Sequence, residues 1–428
     1  MISAILFISF FIFLILGVPI GICLGLSSVC AILYSGTSLT IVATNMYSGI
    51  SKFLLLAIPF FVLSGNIMAK AGISKRLIKF VDTCVGHKKG GIAIVCVIVA
   101  CFFGAISGSG PATVAALGAV LIPAMVERGG FSAPFSTALM ATASSIAIVI
   151  PPSIAFVVYA SITGTSIADM FMAGIVPGLL MGVALVIVVM LEAKKHNIKP
   201  SREKASGKER WDAFKDAFWG FLMPVIILGG IYSGLFTPTE AAAIAVFYGI
   251  IVSAFVYRNM GWKDFIHVLS ASASSTASIL FLVANAHIFS YLLSSEQIPQ
   301  KLAILMTSLT TNPTIIMFLI MIVLLIAGCF LDNAVAVILL TPIFVNVVQA
   351  MNIDICYFGV FLVFVLAIGQ VTPPVGLCLF VACDIGKVSI EKVSREVLPY
   401  VGGLIVTAIL LVLFPQIVTW LPSLTKMA

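Results

Sequence analysis

The segment ATASSIAIVIPPSIAFVVYA, residues 141–160, is apolar enough to lie in a membrane and carries two consecutive prolines, Pro151 and Pro152, at its centre. A second segment of the same kind, VLAIGQVTPPVGLCLFVA, residues 365–382, carries Pro373 and Pro374. Proline has no backbone N–H to give to a helix, and it pushes the preceding residue out of the helical region. Each pair therefore predicts a helix broken in mid-span, with carbonyls and amides left over. Lipid offers those groups no partner, so they must face protein, water or a ligand. One break would serve as a kink. Two, at matching places in two halves of a chain, point to a binding site.

The halves match beyond the prolines. At a spacing of 222 residues, Pro151, Pro152, Ala160, Gly164 and Pro177 fall on Pro373, Pro374, Ala382, Gly386 and Pro399. At 219, Pro19, Asn66 and Pro123 fall on Pro238, Asn285 and Pro342. The chain reads as two repeats, 1–190 and 217–428, joined by a hydrophilic cytoplasmic linker, 191–216. In the first, residues 91–126 are apolar on both sides of SGSGPATV (107–114). Each arm is shorter than the roughly 20 residues a span needs, so the segment reads as a re-entrant hairpin. A broken helix follows over 133–160. The second repeat has a hairpin over 313–350, with FLDNA (330–334) at its tip, and a broken helix over 355–383. Further helices are expected over 2–16, 22–36, 53–69, 171–191, 217–235, 242–257, 270–290 and 399–421, with a polar stretch near 291–312. Within 70–90, Ile73, Leu77, Ile78 and Val81 recur at helical spacing, which predicts an amphipathic helix in the membrane interface.

Composition fixes the class. The chain of 428 residues is 61% hydrophobic and 9% charged, with mean hydropathy +1.22. A soluble domain carries about 25% charged residues, so this is an all-α polytopic membrane protein. The net charge of +7 is not a nucleic-acid signal, because the basic residues gather in a few loops. The 9 cysteines show no metal-ligand or CxxC spacing and read as small buried hydrophobes. The apolar N-terminus lacks a basic leader region and reads as a retained first helix. Basic loops at 70–90, 192–216, 258–263 and 387–395 would lie in the cytoplasm. The counterparts of three of them in the other repeat are poor in Lys and Arg, so the repeats are expected in inverted topology, with both termini outside.

Inverted repeats, paired hairpins and paired breaks form the pattern of an alternating-access carrier. A channel would need a continuous polar path, which two proline breaks interrupt. An enzyme would need paired acids or an activated nucleophile in mid-membrane, where Asp332 is the single acid. An ATP-driven pump would need a phosphate loop, and no GxxxxGK[ST] occurs. The expectation is a transporter and not an enzyme. Helix N-termini and hydroxyls would hold an anionic substrate, since no Lys or Arg lies within the hairpins or breaks.

The motifs SGSGPATVAALG, IPPSIAFVVYA, GGIYSGLFTPTEAAAIA, FLDNAVAVILLTP and TPPVGLCLFVA, in that order, resemble the large membrane subunit of the TRAP (tripartite ATP-independent periplasmic) transporters, over nearly the whole chain. The resemblance implies a sodium-driven elevator-type importer of the bacterial inner membrane, with an ion-transporter-superfamily-like fold. It implies two partners: a small four-helix membrane subunit, expected as a separate polypeptide, and a periplasmic substrate-binding protein. The latter would deliver an organic acid such as a sialic acid or a C4-dicarboxylate; a self-sufficient sodium/carboxylate symporter is the alternative. It also implies two or more sodium sites. One joins Ser107, Gly108, Ser145, Ile148 and Pro151; the second joins Gly328, Asp332, Gly369, Thr372 and Pro373, with Thr237. Substrate is expected near Ser109, Ser153 and Asp332. Four residues carry plainer alternatives: Asn66 and Asn285 as interhelical bonds, Glu240 as a turn residue, and His287 as a packed helix residue.

Overall fold

The computed structural model describes residues 1–196, 198 and 200–427, of which 425–427 by backbone alone. Within them every regular element is a helix, apart from one isolated bridge between Lys89 and Pro200. The first half comprises α1 Ile2–Ile15, α2 Ile20–Ser35, α3 Thr40–Ile50, α4 Ala57–Lys70 (after a 3-10 turn, Phe53–Leu56) and α5 Ile73–Val85. It continues with α6 Gly91–Ser107, α7 Gly110–Glu127, α8 Ala133–Val149, α9 Ile154–Thr163 and α10 Ile167–Lys195. The second half comprises α11 Gly207–Tyr232, α12 Pro238–Ile251 (running into a π turn, Val252–Val256), α13 Trp262–Ser295 and α14 Ile298–Leu309. It ends with α15 Pro313–Phe330, α16 Asn333–Ala350, α17 Ile355–Gly369, α18 Leu377–Gly386, α19 Ile390–Leu413 and α20 Gln416–Met427. Ten segments among the described residues are long and apolar enough to cross a membrane.

The polar residues that start these helices do so by capping. Side chains of Ser132, Ser153, Ser166, Ser206, Asp332 and Asp354 each accept a backbone N–H from the first turn of the helix that follows. The two proline breaks separate α8 from α9 and α17 from α18, and both Pro-Pro bonds are cis. The halves on the N-terminal side of the breaks are the centre of the molecule. Every residue of α8 from Phe135 to Val149 and every residue of α17 from Tyr357 to Gly369 is buried. With no face left exposed, each is wrapped by other helices of the chain, and the hydroxyls of α8 (Ser136, Thr137, Thr142, Ser144 and Ser145) are enclosed with it.

The structure departs from the expected boundaries in several places. Residues 40–50 form α3, and the polar stretch near 291–312 contains α14. The C-terminal segment divides into α19 and α20 at Phe414–Pro415, where proline cannot continue a helix. The linker 191–216 is helical at both ends, because α10 runs to Lys195 and α11 begins at Gly207. There Ser206 caps the helix, and Phe214 packs against Phe80 and Phe221 with ring centroids 5.6 and 6.2 Å apart. That aromatic contact seats α5 against α11. Ile73, Leu77, Ile78 and Val81 of α5 are buried, so its apolar face meets protein as well as any membrane interface.

Helix ends sort onto two faces. On one, Arg76 pairs with Asp216 (3.1 Å), Lys70 with Asp264 (2.8 Å) and Arg128 with Asp82 (2.7 Å), while Arg202 reaches both Asp82 and Glu209. The basic segments 70–90, 200–216 and 257–264 are thus gathered together. On the other face, Lys52 donates to the Ser161 carbonyl and Tyr159 to the Ile355 carbonyl. The 4 tryptophans, Trp211, Trp219, Trp262 and Trp420, are all exposed. Trp262 opens α13, and Trp211 lies in the first turns of α11.

Candidate functional site

Glycine lets each hairpin tip press against the break of its own half. A Cβ on Gly104 would lie 2.7 Å from the Ala147 Cα, and one on Gly328 2.9 Å from the Gly369 Cα, so α6 meets α8 and α15 meets α17 backbone to backbone. Gly108 takes φ +60°, which glycine adopts without cost, and a Cβ there would strike the Pro152 carbonyl. In the second half the Gly376 N–H donates to the Cys329 carbonyl at 3.0 Å. The Gly104 and Gly328 contacts each bring the C-terminal ends of two helices together. Such ends carry unpaired carbonyls and partial negative charge, an environment for a cation.

Hydroxyls stand at the same places. Ser107 Oγ lies 2.9 Å from Thr113 Oγ1, Ser145 Oγ donates to the Thr142 carbonyl (2.7 Å), and Thr372 Oγ1 donates to the Ile368 carbonyl (2.7 Å). Each keeps a lone pair free. Ser153, fully buried, donates to the Ile148 carbonyl (2.5 Å) and caps α9 through Phe156 N. Asp332 caps α16 through Ala334 N (3.0 Å) and accepts from Gln370 Nε2 (3.2 Å). Among the described residues no cluster of three or more His, Cys, Asp or Glu could hold a metal. A cation here would be bound by hydroxyls, carbonyls and one carboxylate. Hard oxygen donors of that kind suit an alkali or alkaline-earth ion and not a transition metal.

Between the two tips lies a cavity of about 290 Å³. Its wall takes Ser109, Gly110 and Pro111 from the start of α7, Ile154 and Ala155 from the start of α9, and Asn333 and Ala334 from the start of α16. Gly108, Ile148, Asp332 and Gln370 complete that side. Three helix N-termini thus open onto one space, and no Lys or Arg lines it. Each N-terminus carries partial positive charge and unsatisfied N–H groups, a setting for an anion. Facing them is α13, through Ser275, Ser278, Ile279 and Leu282. Asn333 is buried, and neither its Oδ1 nor its Nδ2 has a hydrogen-bond partner.

Of the sequence-predicted residues, Gly108, Ser109, Ile148 and Asp332 line this cavity. Ser107, Ser145, Gly328, Gly369 and Thr372 sit at the tips and breaks around it, with Pro151 and Pro373 at the breaks themselves. Ser153 stands behind the wall as the α9 cap. Thr237 is elsewhere: it is exposed and forms a capping box with Glu240 at the start of α12, both its N–H and its hydroxyl donating to Glu240 Oε2 at 2.8 Å. Asn66 bonds to Ser272 of α13 (2.9 Å), and the Asn285 amide lies against Gly25 while donating to the Phe281 carbonyl. Asn66 therefore bonds between helices, whereas Asn285 bonds within its own helix and only packs against α2. Asn333, Gln370, Ser275 and Ser278 were not singled out from sequence as ligands. Asn333 adjoins Asp332, and Gln370 is a lone amide in an apolar broken helix, which is the signal each carried.

The sequence matches, over residues 7–417, the family described as "Tripartite ATP-independent periplasmic transporter, DctM component". It is 41% identical to the C4-dicarboxylate TRAP transporter large permease protein DctM of Pseudomonas aeruginosa, across 94% of this chain and 93% of that protein. It is 41% identical to the isethionate TRAP transporter permease protein DctMQ of Oleidesulfovibrio alaskensis, covering 96% of this chain and 65% of that longer protein. Identity to the 2,3-diketo-L-gulonate TRAP transporter large permease protein YiaN of Escherichia coli is 37%, across 93% of this chain and 95% of that protein. Among solved structures, the Alcanivorax borkumensis YdaH transporter superposes with a TM-score of 0.62 at 14% identity, over 88% of each chain. At that identity the likeness concerns the fold alone. With the family pattern spanning nearly its full length, the chain belongs to the tripartite ATP-independent periplasmic transporters, as a large permease subunit of the DctM type.

Proposed function

We propose that this permease imports small organic acids, C4-dicarboxylates first among them, coupled to sodium and supplied by a separate substrate-binding protein. The observation that carries the substrate class is the cavity into which three helix N-termini open without a basic side chain, beside the unpartnered Asn333 amide. An anion held by backbone dipoles and amides is bound without the strong grip of a guanidinium, which eases its release. The names of these relatives agree in naming organic anions. Sodium is supported by the two places where helix C-termini meet among hydroxyls. The repeat reading is supported by the order hairpin, broken helix, returning helix, which occurs in α6–α10 and again in α15–α19. With the basic face in the cytoplasm, the hairpins enter from opposite sides. Tips and breaks pack too closely to separate, so they travel as one body past α13, an elevator movement, while a small membrane subunit braces the static helices.

The test is reconstitution with the small subunit in liposomes. Succinate uptake should require both the binding protein and an inward sodium gradient. Uptake of free succinate driven by sodium alone would identify a self-sufficient symporter, and uptake indifferent to sodium would remove the coupling.

A further inference from the structure

A second chamber, of about 370 Å³, adjoins the cavity on the face away from the basic segments. The same three helices wall both. Along α9 the lining passes from Ala155 to Ser161, along α13 from Ser278 to His287, and along α16 from Ala334 to Asn346. At 1.5 Å per residue these are advances of roughly 9, 14 and 18 Å, all toward the same face. Between the two spaces the buried side chains of Val158, Val283 and Ile338 form an apolar waist.

The outer chamber contains what the inner one lacks, a cation. Lys52, at the entry to the 3-10 turn before α4, donates to the Ser161 carbonyl at 2.6 Å, and no acidic side chain lines the space among the described residues. One carbonyl uses one of three ammonium protons and does not neutralise the charge. His287 lies beside it, held tightly where α3 crosses: a Cβ on Gly49 would come 2.7 Å from the His287 Cβ, and His287 Nδ1 has no partner. An unneutralised ammonium in a recess favours an anion, and low-dielectric walls concentrate its field.

We propose that this chamber is a carboxylate-binding antechamber, in which Lys52 meets the small anionic cargo before it passes the waist to the cavity between the hairpin tips. The assignment rests on the transport reading above, but its binding step is measurable without transport. In a chain whose 9 native cysteines are replaced, Asn346→Cys supplies a thiol in the chamber. In detergent, its reaction with an anionic sulfonatoethyl methanethiosulfonate is compared with that of the neutral methyl reagent. Lys52→Gln keeps an N–H donor for the Ser161 carbonyl and removes the charge. It should lower the anionic-to-neutral rate ratio roughly fivefold, Lys52→Arg should preserve the ratio, and succinate should slow the anionic reagent when Lys52 is present. A ratio unchanged by Lys52→Gln would overturn the proposal and leave Lys52 a latch between α9 and the 3-10 turn. Protection by the empty binding protein and not by succinate would overturn it in favour of a docking contact. Loss of the transport reading would show instead as absent uptake with the rate ratio and succinate protection intact.

Discussion

Asp332 divides its two oxygens between structure and site: Oδ2 caps α16, and Oδ1 takes the Gln370 amide at the second break. Asparagine caps a helix as well as aspartate, so Asp332→Asn can keep the α16 cap while removing the charge and the acceptor for the Gln370 amide. Bonds to charged groups are worth about 1.5–3 kcal/mol against about 1 for neutral ones, and 1.4 kcal/mol is tenfold in affinity. Half-saturating sodium for uptake should therefore rise about tenfold, with thermal stability close to that of the parent. An unchanged sodium dependence would take Asp332 out of the coupling. Thr237→Ala should show the opposite pattern: about 1 kcal/mol of stability lost with the α12 cap, and sodium dependence retained. Measuring both in one assay separates the carboxylate from the hydroxyl. Asp332 was legible in the sequence because an acid inside an apolar run has few reasons to be there. Ser275 and Ser278 were not, since serine on a membrane helix ordinarily bonds back to its own backbone, as Ser278 does to Ser274.

At the level of elements, the two breaks are readable because proline acts locally, and the first hairpin because glycine, serine and proline interrupt two short apolar arms. Where a helix rests on tertiary support, the reading was weaker. The short α3 is held partly by the passage of Gly49 over His287, a contact far apart in sequence. The long α13 mixes its apolar residues with charged and hydroxyl side chains in its first half, so the expected span of 270–290 falls short of Trp262–Ser295. The close approach of α15 to α17 yields a direct test. A Cβ on Gly369 would stand 2.5 Å from Gly328 Cα, and neither backbone can yield without opening the second tip. Gly369→Ala should cost about 1–3 kcal/mol by overpacking, read as a lower unfolding temperature together with lost uptake. Gly229→Ala on α11, where a Cβ would meet nothing within 4 Å, is the control and should be neutral or slightly stabilising. Equal behaviour of the two variants would mean that the glycine contact does not set the geometry of the tip.

For the whole molecule, the proposed inverted arrangement predicts which residues share a side of the membrane. Single cysteines replacing Asp169 and Gln297 should react with an impermeant reagent from outside, and one replacing Gly207 only from within. Labelling of Gly207→Cys and Gln297→Cys from the same side would end the inverted reading and the import direction with it. The exposed tryptophans have a spectroscopic consequence. None of the 4 lines either chamber, so cargo binding should leave intrinsic emission almost unaltered. Trp211 and Trp219 share one helix and stand roughly 12 Å apart along its axis. Brominated acyl chains quench according to depth, and the two indoles form a built-in depth gauge for how α11 sits in the bilayer.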